Sequence, residues 1–93
     1  MMEKIISKLI SSGYQEFAAK TTAHELLQID NSLNTALSSW LETGIETDMT
    51  IEEITLSELK SKYNMSYPAA LLSMDWLLKE PQVAKAAITK GIK

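Results

Sequence analysis

The chain has 93 residues and a mass of 10.4 kDa; 45% of its residues are hydrophobic, 23% are charged, and its formal net charge is -3. This size and composition fit one small globular domain, so we expect a single helical domain spanning residues 1–93. The chain has no Cys, which excludes a disulfide framework, a thiolate zinc site and a cysteine nucleophile. It also lacks the apolar run of about 20 residues that a bilayer span needs and the h-region of a signal peptide. We therefore expect a cytoplasmic protein with no membrane contact.

All nine basic residues are Lys, and the chain has no Arg. Arginine makes planar, bidentate contacts with phosphates and guanine edges that lysine cannot reproduce, so this composition disfavours a nucleic-acid partner. Charge is also segregated along the chain: residues 21–59 carry eight acids and no base, whereas residues 60–93 carry six Lys and two acids. We interpret these blocks as solvated helix faces, with attraction to a partner or a second copy as the alternative.

The N-terminal third predicts two or three helices. Apolar residues recur at helical spacing from Met2 to Ser12, and Gly13 is a typical helix stop. The pattern resumes at Tyr14, which predicts either one long helix with a kink or two short helices. Thr22 and Glu25 have the spacing of a capping box, so the second alternative places a break near Thr21.

The middle of the chain contains the clearest predicted helix. Asp30 and Asn31 are good N-cap residues, an apolar stripe that includes Trp40 follows them, and Gly44 ends the run. We expect Trp40 to lie in the core. Residues 45–54 are too irregular for a helix and predict a loop or a single edge strand.

Three further helices are predicted toward the C-terminus. Thr55 and Glu58 have capping-box spacing and open a short helix that stops near Asn64. Pro68 is favourably placed to begin a helix that runs to about Glu80, and a last helix extends from Pro81 to Gly91. The predicted fold class is all-α, a single compact domain of five or six short helices.

The sequence contains no complete set of catalytic or metal-binding residues. His24 is the single histidine, and the adjacent Glu25 points about 100° away from it on a helix. The acids between residues 42 and 58 lack the central glycine of a calcium-binding loop. Three isolated glycines cannot build a phosphate-binding loop. We therefore expect no enzyme activity, no cofactor, no metal and no small-molecule substrate.

Residues 55–80 are similar to a helix-turn-helix, with Asn64 at the turn and Ser66 opening the second helix. In that interpretation the DNA contacts are Ser66, Tyr67, Ser73 and Lys79, with Lys85, Lys90 and Lys93 on the phosphates. The second helix lacks Arg and is nearly neutral, whereas phosphate neutralisation supplies most of the affinity for DNA. DNA binding is therefore the alternative rather than the preferred interpretation.

The helix near residues 68–80 has two apolar faces. The broader face predicts core packing by Ala70, Leu71, Met74, Leu77 and Leu78. The second is a stripe of Ala69, Leu72 and Trp76. This stripe is either buried in the domain or exposed as a surface for a protein partner or a homodimer, because Trp is frequent at binding hot spots. A third hypothesis is that Glu46, Asp48, Glu52 and Glu53 mimic nucleic acid toward a basic partner.

Two segments carry a resemblance to known proteins. The run from Ser39 to Gly44, SWLETG, and the run from Ala69 to Pro81, AALLSMDWLLKEP, resemble small helical proteins of Gram-positive-type bacteria. The resemblance covers residues 30–91 and implies a small, soluble, helical bacterial protein; no activity or site residue follows from it. The sequence thus predicts a non-enzymatic protein-interaction module, with a helix-turn-helix accessory or regulatory protein as the alternative.

Overall fold

A computed structural model describes residues 2–91 of the chain. In chain order its elements are α1 (Met2–Ser11), α2 (Glu16–Leu26), a short 3-10 helix (Asn31–Leu33), α3 (Asn34–Thr43), β1 (Thr50–Ile51), β2 (Ile54–Thr55), α4 (Leu56–Ser61), α5 (Tyr67–Lys79) and α6 (Pro81–Gly91). The fold is all-α with one very small sheet, which confirms the predicted class. The elements group into two compact units, Met1–Ile45 and Glu46–Lys93. None of the described helices is both long and apolar enough to cross a membrane.

The first unit begins with α1 packed against α2. Ile5 and Leu9 of α1 and Ala19 and Ala23 of α2 are fully buried. The chain leaves α1 through Gly13, whose φ of 110° is strained for any other residue type. The amide of Gly13 donates to the carbonyl of Ile10, and the amide of Tyr14 donates to the carbonyl of Leu9. These two bonds form a Schellman motif and confirm the predicted helix stop.

The structure shows that α2 is one continuous helix, which excludes the alternative of a break near Thr21. The hydroxyl of Thr21 donates to the carbonyl of Phe17 inside the same helix. Thr22 and Glu25 therefore lie in the helix interior, where every backbone amide already has a helical acceptor, and they form no capping box.

Asp30, one of the predicted N-cap residues, caps the 3-10 turn that precedes α3, whereas the N-cap position of α3 itself is Leu33. The Asp30 carboxylate accepts bonds from the Ser32 amide at 3.0 Å and from the Ser32 hydroxyl at 2.7 Å, which caps the 3-10 turn that leads into α3. Trp40 is 5% exposed and lies in the core as expected. The ammonium nitrogen of Lys8 lies 5.4 Å from the centre of the Trp40 ring, a cation–π contact.

The second unit begins with a β-hairpin, so the prediction of a loop or a single edge strand for residues 45–54 is incomplete. Thr50 pairs with Thr55 and Ile51 pairs with Ile54 in antiparallel register. The two-residue loop between them is Glu52-Glu53, with φ values of 52° and 68°. This is the left-handed geometry of a type I′ turn, which usually contains Asn-Gly. The pair Glu-Glu gives no such signal in the sequence.

The hairpin leads directly into α4, which begins as predicted. The Thr55 hydroxyl accepts a bond from the Glu58 amide at 3.0 Å, and the Glu58 carboxylate accepts one from the Thr55 amide at 3.4 Å. Both halves of the capping box are thus present. α4 ends at Ser61 with Lys62 as its C-cap, so it stops earlier than predicted; Asn64, the predicted stop, has a left-handed φ of 57° in the connection that follows.

α5 provides the centre of the second unit and contacts α4 and α6. Its buried residues are Tyr67, Pro68, Ala70, Leu71, Met74 and Leu77, and Ala84 and Ile88 of α6 are also buried. Leu78, expected in this face, is 40% exposed instead. Leu78 shares its helical side with Leu71 but lies in the last turn of α5, where the chain leaves the helix at Glu80.

Candidate interaction surface

The three residues predicted to contact a partner lie together on the side of α5 that faces away from its buried residues. At about 100° per residue, Ala69, Leu72 and Trp76 fall within roughly 60° of each other, opposite Met74. Ala69 and Leu72 are half-buried, and Trp76 is 36% exposed. We call these three residues the α5 stripe.

The indole of Trp76 is held by a residue one turn further along the chain. Its Nε1–H donates to Oε1 of Glu80 at 2.9 Å. This bond satisfies the one polar group of the side chain and restricts the orientation of the ring. The remaining exposed part of Trp76 is therefore apolar, and a molecule that covers it does not need to supply a hydrogen-bond acceptor.

Polar residues border the α5 stripe on both sides. On one side the ammonium group of Lys79 lies 2.9 Å from the carboxylate of Asp75, an ion pair across one helical turn. On the other side lie Glu80 and Ser73, whose hydroxyl donates to Sδ of Met65 at 3.5 Å. An apolar centre with a polar border is the usual arrangement of a protein-binding surface.

The exposed apolar residues of α5 do not form one continuous patch. Trp76 and Leu78 are two positions apart, so their side chains leave the helix about 160° apart. Leu78 therefore does not enlarge the α5 stripe. The candidate surface consists of Trp76 and its two half-buried neighbours, Ala69 and Leu72.

The residues predicted for DNA contact do not share a surface. Three of them occur at six-residue intervals along α5: Tyr67, Ser73 and Lys79. Each interval turns the helix by about 120°, so the three side chains leave α5 on different sides. Tyr67 is 2% exposed and its hydroxyl donates to the carbonyl of Thr47 at 3.0 Å, so its side chain is not at the surface, where a DNA contact would require it. Ser66 is the N-cap of α5, with its Oγ accepting the amide of Ala69.

The N-terminal end of α5 is also poorly suited to reading DNA. In a helix-turn-helix the first residues of the second helix contact base edges. Here the first two residues of α5, Tyr67 and Pro68, are buried. Of the lysines predicted to contact phosphate, Lys85 pairs with Glu53 at 3.2 Å, Lys90 is exposed on α6, and Lys93 lies outside the described residues.

Within the second unit, acids from the acidic middle of the chain pair with lysines of its basic end. Glu46 forms an ion pair with Lys60, and Glu53 forms one with Lys85. Two of the four acids in the nucleic-acid-mimic hypothesis are therefore ion-paired within their own unit. The acidic and basic segments of the sequence thus form ion pairs with each other, and this pairing needs no external partner.

The segment that precedes the hairpin is also fixed by backbone contacts. The amide of Ser57 donates to the Asp48 carboxylate at 2.9 Å, and this bond lowers the pKa of Asp48 below its ordinary value. Burial of the Tyr67 hydroxyl, together with the nearby charge of Glu46, raises the pKa of Tyr67. These contacts join residues 46–48 to the first turns of α4 and α5.

The structure also places the residues considered for chemistry. His24 lies on the exposed side of α2, in the first unit. Across residues 2–91, no three His, Asp or Glu side chains are grouped so that they could hold a metal ion.

Comparisons of the chain with protein-family models, with curated proteins and with solved structures gave no match.

Proposed function

We propose that this protein is a non-enzymatic interaction module that binds a protein partner or a second copy of itself through the α5 stripe. The observation that carries the proposal is that Trp76 is 36% exposed while its indole N–H is already bonded to Glu80. Tryptophan is enriched among the few residues that supply most of the binding energy of a protein interface.

The orientation of Trp76 supports this function. Binding costs free energy when flexible side chains become ordered, and a ring that is already restrained loses less freedom. Leu72 and Ala69 add apolar surface on the same side of α5 as the ring, so a partner can cover apolar surface along about two turns of the helix. The Lys79–Asp75 ion pair beside the stripe fits the polar border of an interface.

The chemistry of the stripe favours binding over catalysis. Ala69, Leu72 and Trp76 carry no nucleophile and no general base. Ser73, the nearest hydroxyl on α5, donates to the sulfur of Met65, which cannot act as a base. Nothing in this surface activates a hydroxyl group for attack on a substrate.

Substitution of Trp76 tests the proposal. The variant Trp76→Ala should lose self-association, or the retention of a specific bound protein, while keeping the helical circular-dichroism signal. Val83→Ala is the matched control, since Val83 is an exposed apolar residue on α6, outside the stripe. Light scattering after size-exclusion chromatography, across a range of concentrations, measures self-association; pull-down with each variant measures partner binding.

The outcomes separate the two kinds of occupant. A wild-type dimer that becomes monomeric in Trp76→Ala but not in Val83→Ala identifies a second copy. A wild-type monomer with a bound protein that only Trp76→Ala loses identifies a different partner. If both variants match the wild type in mass and in retained protein, the α5 stripe is not a binding surface and the proposal fails.

A further inference from the structure

We draw no further inference here: the strongest candidate, the outward side of α2 where the exposed ring of Phe17 lies on the same helical side as Thr21 and His24, is a surface patch for which nothing in the structure shows what covers it.

Discussion

The indole N–H of Trp76 and the carboxylate of Glu80 form a 2.9 Å hydrogen bond across the C-terminal end of α5. Glu80 is the C-cap residue of this helix, and Pro81 begins α6 immediately after it. The Trp76 ring is therefore fixed by a residue whose backbone is itself restricted by the helix end and the following proline. This relationship explains how an exposed aromatic ring keeps a defined orientation.

Removal of the Glu80 carboxylate should release the ring. In Glu80→Ala we expect acrylamide to quench tryptophan fluorescence more strongly, because a released ring is more accessible to the quencher. Trp40 is buried, so the change in quenching reports mainly on Trp76. Association through the α5 stripe should weaken by roughly three- to tenfold, which corresponds to about 0.7–1.4 kcal/mol for one hydrogen bond. Glu80→Gln is the control, since its amide oxygen still accepts the bond. Equal quenching in wild type and Glu80→Ala would show that the bond does not restrain the ring.

The Asp48–Ser57 bond predicts how stability depends on pH. The pKa of Asp48 is lowered in the folded state, so its contribution is present above the ordinary aspartate pKa of about 3.9 and is lost as pH falls through the lower folded pKa. Asp48→Asn removes the ionisable group. We therefore expect the variant to be less stable than the wild type near neutral pH, and the difference to shrink in acid.

Urea unfolding of both proteins at several pH values measures this effect. Glu52→Gln is a suitable control, because Glu52 is an exposed acid in the loop of the hairpin that follows Asp48. A stability difference between wild type and Asp48→Asn that stays constant from neutral to strongly acidic pH would contradict the assigned role of the carboxylate.

The hairpin loop predicts a stabilising substitution. Glu53 has a φ of 68°, a conformation that costs a residue with a Cβ roughly 1–2 kcal/mol and that glycine adopts freely. Glu53→Gly should therefore raise the midpoint of thermal unfolding, even though it removes an exposed ion pair with Lys85 worth about 0–1 kcal/mol. Glu53→Gln removes the ion pair but keeps the strain, so it should be neutral or slightly destabilising. A lower midpoint for Glu53→Gly than for Glu53→Gln would refute this account.

The sequence predicted the position of the α5 stripe because helical spacing determines which residues share a side. The same spacing rule also argues against a common DNA-binding surface for Tyr67, Ser73 and Lys79, since six-residue steps place them on three different sides. Tyr67 lies four positions before Leu71 and seven before Met74, so the same spacing rule places it on the buried face of α5. The spacing does not show the partner of its hydroxyl, which is the carbonyl of Thr47, twenty positions earlier.

Two copies of one pattern show where local prediction of the fold reaches its limit. Thr22-x-x-Glu25 and Thr55-x-x-Glu58 both match a capping box, yet only the second one forms. Thr55 is the last residue of β2 and has extended backbone angles, φ -95° and ψ 152°, so the helix must begin after it. Thr22 lies within α2, where the chain is already helical. The pattern identifies residues able to cap a helix, and the preceding chain decides whether they do.

This difference gives a matched pair of substitutions. Thr55→Ala removes the hydroxyl that accepts the Glu58 amide and should destabilise the protein by about 1 kcal/mol. Thr22→Ala removes no cap and places a better helix former inside α2, so it should be neutral or slightly stabilising. Urea unfolding of the two variants measures both free energies against the same wild type. Equal destabilisation by the two changes would mean that the Thr55 cap contributes nothing beyond the loss of a threonine side chain.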